Sequence, residues 1–127
     1  MSPLGIAASV VIAAVALLHA WFLVLEMFLW TKPTGRRVFN LTPEFAEESK
    51  TLAANQGLYN GFLAAGLAWG LIASAVGWLG AYGIKVFFLT YVIVAGVFGA
   101  ATVNQHILFV QTLPAVIGLG LLVAAQP

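Results

Sequence analysis

Glu26 lies inside an unbroken apolar run, one turn before Trp30, and His19 stands seven residues earlier in the same run. A carboxylate at membrane depth is costly enough to count as a functional hypothesis by itself. Seven residues are nearly two helical turns, so the two side chains share a face about 10 Å apart along the axis. They can flank one cavity but cannot touch. A second polar group, Asn55, Gln56, Tyr59 and Asn60, interrupts the apolar stretch from Lys50 to Ala65, with Gln56 and Asn60 stacked at i and i+4. Where no water is available, such amides must face other helices or a wet cavity. Gln111, in the last apolar run, falls toward the same end, as do Thr102, Asn104, Gln105 and His106 at the turn before it. The chemistry on offer is hydrogen-bond recognition around one titratable acid.

Each of these residues also has a plainer role open to it. Glu26 can snorkel to the interface or pair with Arg36, Arg37 or Lys50. His19 can make a helix-to-helix hydrogen bond, and His106 can simply be solvated at a loop edge. The amides Asn55, Gln56 and Asn60 can serve as interhelical glue, worth about 1 kcal/mol per bond. Glu44, Glu47 and Glu48 read as a solvated face. No metal site is expected, because Glu26 is not at i+3 or i+4 from His19 and the two histidines fall at different depths. The same mismatch argues against haem, so no cofactor is expected.

Hydrophobic residues make up 62% of the 127-residue chain and charged residues 7%, against the roughly 25% charged of a soluble domain. The length is that of one domain. The composition is that of an integral membrane protein. A net charge of +1 offers no basic face for nucleic acid, which is therefore not expected as a partner. With no cysteine, disulfides and thiolate metal sites are excluded. The opening residues carry no basic segment, and Ala14-Val15-Ala16 matches a cleavage pattern only weakly, so the first helix is expected to be retained.

The elements that must position these side chains follow from the apolar runs. The first, Leu4 to Trp30, would rise about 40 Å as a helix, more than the roughly 30 Å hydrocarbon core, so it must tilt or protrude. Thr31 to Arg37, containing Pro33 and Gly35, reads as a turn. Thr42-Pro43-Glu44 has the order of an N-cap, a first helical residue and an acid at the positive end of the dipole. The second helix should start there in water and enter the membrane near Lys50. Leu79 to Gly83 is the next turn, with Lys85 at the entry of the third run. Asn104-Gln105 makes the last break, and Pro114 should kink the fourth run or be tolerated by local packing. The simplest count is a single all-α domain over 1–127, an integral membrane four-helix bundle with helices near 4–30, 43–78, 84–103 and 106–124. Short connections make it up-down-up-down.

Lys32, Arg36, Arg37 and Lys50 flank the first connection, Lys85 alone flanks the second, and the N-terminal segment has no basic side chain. The positive-inside rule then places the first and third connections in the cytoplasm and both termini outside. Trp30, Trp78 and Tyr82 fall where interfacial belts belong. Small-residue spacings, Gly57 to Gly61 to Ala65, Gly66 to Gly70 to Ser74, Ala95 to Gly99 and Gly96 to Ala100, are close-contact seams. They serve either packing within the bundle or a homo-oligomer surface.

Glu26-Met27-Phe28-Leu29-Trp30, Phe39 to Ala46, Asn55-Gln56-Gly57-Leu58-Tyr59-Asn60-Gly61-Phe62, Ala95-Gly96-Val97-Phe98-Gly99 and Gln111-Thr112-Leu113-Pro114-Ala115 together resemble a bacterial family of membrane proteins, domain-of-unknown-function family 1304. The resemblance spans essentially the whole chain. It implies a four-helix integral membrane protein and carries no activity with it. The expected function is a polar pocket in the cytoplasmic half, formed by Glu26, His19, Asn55, Gln56, Tyr59, Asn60 and Gln111, that binds membrane lipid or a small amphipathic molecule. Glu26 would be its titratable group. Three rivals remain: a proton-coupled exporter working as a dimer, an intramembrane lipid-modifying enzyme using Glu26 and His19, and a structural or partner-binding protein.

Overall fold

The chain builds only helices. In the computed structural model, which describes residues 1–127, α1 (Pro3–Met27), α2 (Pro33–Phe39), α3 (Pro43–Ala75), α4 (Ala81–Thr102) and α5 (Leu113–Ala124) follow in order, with a π-helical segment, Leu108–Thr112, running directly into α5. Three of them, α1, α3 and α4, are long and apolar enough to cross a membrane, and Leu108–Ala124 is apolar but shorter. The chain divides into two compact units, Leu17–Ala64 and a larger one made of Met1–Ala16 with Ala65–Pro127.

In the Leu17–Ala64 unit, α1 and α3 run antiparallel along a glycine seam. A Cβ on Gly57 would lie 2.8 Å from Met27 Cγ and 3.0 Å from Glu26 Cβ, and one on Gly61 would lie 2.5 Å from Leu23 Cδ1. The absence of side chains at these two positions lets the helix backbones approach. Residues 31 to 37, expected as a turn, contain most of α2 instead. Pro33 stands at a first helical position, where a missing N–H costs nothing. Gly35 is buried against the Leu29 carbonyl and the Trp30 backbone, which leaves no room for a Cβ. The helix ends on Asn40 in the left-handed region (φ 53), and the Leu41 N–H donates to the Arg36 carbonyl at 2.8 Å. Thr42 then caps α3, accepting from the Phe45 N–H at 3.1 Å. Trp30 ties the connection to α3 by donating from Nε1 to Ser49 Oγ at 3.0 Å, and its ring packs on Phe39 at 4.9 Å.

In the larger unit, α3 and α4 are also antiparallel. Gly66 receives the Phe88 ring, and a Cβ on Gly70 would meet Lys85 Cγ at 2.5 Å. The seam that ends at Ser74 is thus filled within the chain. α3 stops at a left-handed Gly77 (φ +76), where the Trp78 N–H donates back to Ala73 at 2.9 Å. α4 packs on the last stretch through Gly96 against Thr112 and Gly99 against Ile107, and Gly118 of α5 faces Val11, Ile12 and Leu89. Ile12, Leu89, Val92, Ala115 and Leu122 form the buried apolar centre. The fourth apolar run is not a regular α-helix from its start. Leu108–Thr112 winds as π-helix, and the Leu113 N–H reaches back to the Leu108 carbonyl. Pro114 follows immediately, so the wider turn precedes the residue that has no N–H and would crowd the preceding carbonyls.

Candidate functional site

Glu26 is 2% exposed, and its carboxylate is held by two amides from one face of α3. Gln56 Nε2 donates to Oε2 and Asn60 Nδ2 donates to Oε1. The i, i+4 spacing of the two amides brings them to the same acid, and Gly57 between them keeps the backbones close enough for short amide side chains to reach. Neither Arg36 nor Arg37 pairs with Glu26, and the chain's ion pair is Lys50 with Glu47. A carboxylate accepts at both oxygens with about two lone pairs each, so Glu26 keeps acceptor capacity beyond the two amides. It lines an open surface groove together with Trp30, Thr31, Lys50 and Thr51, with Met27 and Phe28 as apolar wall.

The remaining candidates are placed differently. His19 is fully buried, with the Phe22 ring edge-on at 5.3 Å. Leu23 lies on the same face of α1 between His19 and Glu26 and packs on Gly61, so an aliphatic side chain fills the stretch that separates them. Asn55 and Tyr59 are exposed, the latter with its ring 6.0 Å from Phe62. Gln111 is half-buried in the π-helical segment of the larger unit. His106 is exposed, and its backbone N–H donates to Asn104 Oδ1 at 2.9 Å, a turn contact. The structure therefore joins Glu26, Gln56 and Asn60 into one cluster.

From the sequence, Lys85 reads only as a charge at a helix entry. It is 8% exposed, and Nζ donates to Ser74 Oγ at 2.6 Å. The signal for this contact lies in the Gly66, Gly70, Ser74 spacing, whose last member is a hydroxyl rather than a methyl. Thr112 is also buried, with its Oγ1 lacking a hydrogen-bond partner.

These features define an all-helical protein with three helices able to cross a membrane and a buried carboxylate clamped between two of them. The chain belongs to the DUF1304 family, proteins of unknown function, whose pattern matches residues 13–123. It is similar to the uncharacterized protein YpaA of Lactococcus lactis subsp. lactis strain IL1403, with 34% identity over 99 residues that cover 76% of this chain and 80% of that one. No solved structure matches it significantly.

Proposed function

We propose that the chain is a four-span integral membrane protein of up-down-up-down order in a bacterial plasma membrane, and that the groove beside Glu26 holds the polar head of a lipid or small amphipathic molecule. The antiparallel contacts of α1 with α3, of α3 with α4 and of α4 with the last apolar stretch support the helix order. Lys32, Arg36, Arg37 and Lys50 around the first connection support a cytoplasmic position for it, with the termini outside. The observation that carries the binding role is the clamped carboxylate in the groove wall. Glu26 lines the groove together with Lys50, Thr31 and Thr51, while Met27, Phe28 and Trp30 offer apolar surface. A head group with a hydrogen-bond donor and a short apolar body matches that mixture.

The test is native mass spectrometry of full-length protein released from a mild detergent. Wild type should carry an amphiphile adduct that Glu26→Gln depletes by at least about tenfold, the loss of one charge-assisted hydrogen bond. Equal retention by both proteins removes the carboxylate from binding. A second role is favoured by the two amides already on Glu26 and by Leu23 filling the seam behind it. Under that reading the cluster is a tie between α1 and α3, and Glu26→Gln lowers the unfolding midpoint without changing any adduct.

A further inference from the structure

Lys85 takes no part in the groove at Glu26. Its stem lies against Gly70, where a Cβ would stand 2.5 Å from Lys85 Cγ and 3.4 Å from the Lys85 backbone nitrogen, so the side chain occupies a built seat on α3. Its ammonium donates to Ser74 at 2.6 Å. No Asp or Glu occurs in Met1–Ala16 or Ala65–Pro127, and no ion pair forms there. A cation drawn back from solvent onto another helix, with no acid beside it, is favoured by something of opposite charge that meets it.

The donors around it are not used up. An ammonium has three N–H groups, and Ser74 takes one. Ser74, having accepted, still has its own O–H to give. Ser9 directs its hydroxyl only at the Met1 thioether, at 3.9 Å, a weak acceptor. Lys85, Ser74 and Ser9 line one open groove, with Ser2 and Gln126 at its edge, where the start of α1, the end of α3, the start of α4 and the end of α5 come together. The chemistry complementary to an ammonium flanked by hydroxyl donors is an anion with several oxygens that can accept from different directions at once. Exposed Trp78 and Leu79 flank the same ends of α3 and α4, a composition suited to head-group depth.

We propose that Lys85, Ser74 and Ser9 form a binding site for a phosphate group, supplied by a phospholipid head group or as free phosphate. The site shares no side chain with the Glu26 groove, so the two stand or fall separately. Full-length protein in detergent is exposed to dioleoyl phosphatidylglycerol, to dioleoylglycerol or to inorganic phosphate, and adducts are read by native mass spectrometry. Wild type should retain the phosphatidylglycerol and not the phosphate-free diacylglycerol. Lys85→Met should weaken retention at least about tenfold, and the double variant Ser9→Ala with Ser74→Ala several-fold, as expected for losing charge-assisted and neutral hydrogen bonds respectively. Displacement of the lipid adduct by millimolar phosphate assigns the site to the free anion, and resistance assigns it to the lipid. Retention by Lys85→Met equal to wild type overturns the proposal, as does equal holding of diacylglycerol or the lack of any phosphate-bearing adduct. Should Lys85→Met fail to fold, unchanged retention in the double serine variant overturns it instead.

Discussion

In Leu17–Ala64 a buried carboxylate accepts from two amides, whereas in Met1–Ala16 with Ala65–Pro127 a buried ammonium meets a single hydroxyl. Both groups sit on glycine seams of the same helix, α3, and both are nearly withdrawn from solvent. They differ in how completely the fold answers them. The carboxylate has an amide partner for each oxygen, which answers most of its burial and leaves only its remaining lone pairs for the groove. The ammonium keeps unspent donors and has no Asp or Glu in its unit. Burial of an ionisable side chain therefore says less about function than the number of its hydrogen-bonding valences left over once the neighbours are counted.

The largest effects should come from the seams that seat the two groups. A valine at Gly57 would drive into Met27 Cγ at 2.8 Å and Glu26 Cβ at 3.0 Å, and one at Gly70 into Lys85 Cγ at 2.5 Å. Each should cost about 2–3 kcal/mol of unfolding free energy in a detergent titration, the upper range for overpacking. At Gly83 nothing lies within 4 Å of where a Cβ would stand, so Gly83→Ala should be neutral or stabilise by up to about 1 kcal/mol through helix propensity. Losses at Gly57 and Gly70 no larger than at Gly83 would mean that neither ionisable group is seated by its glycine.

The next experiment separates the two groups by sign. Glu26→Leu strips the acceptor from two amides and should destabilise by about 1–3 kcal/mol. Lys85→Met removes a buried charge that has no counter-ion and keeps a similar volume, so in phospholipid-free micelles it should leave stability unchanged or raise it. If Lys85 holds the proposed phosphate site, adding phosphatidylglycerol should then raise the wild-type midpoint and not that of Lys85→Met. A drop of the same size for both variants in phospholipid-free micelles would erase the contrast.

The sequence carries the long apolar helices and the amide pair, and it misses what depends on neighbours. Thr42 and Pro43 mark the start of α3 because capping is local chemistry. Gln56 and Asn60 are readable as one face from their spacing. The segment with Pro33 and Gly35 reads as a turn because both residues disfavour helix interiors, yet Pro33 sits at a helix start and Gly35 packs against the Leu29 backbone. Pro33 at the first helical position and Asn40 just after the last are the signals that could have found α2. Pro114 marks a disturbance in the fourth run, but the π-helical form of Leu108–Thr112 and the seating of Thr112 against Gly96 of another helix are not readable from it. Lys85 escapes for a related reason. Its position fixes only its distance from a helix end, while its burial is set by Gly70 and Ser74 on another helix.

The smallest effect is expected at the one ion pair. Lys50 and Glu47 are an i, i+3 pair with side chains 55% and 63% exposed, so salt screens them and the flexible side chains lose entropy when held together. Lys50→Ala and Glu47→Ala should each change unfolding free energy by no more than about 0.5 kcal/mol, with the difference shrinking further at high salt. Lys50 nevertheless lines the groove that holds Glu26. A loss above about 1 kcal/mol for Lys50→Ala alone, beyond what an exposed pair supplies, would show the lysine acting on the buried acid rather than on Glu47. The carboxylate would then have a cationic partner after all, and the contrast with Lys85 would rest on the ammonium alone.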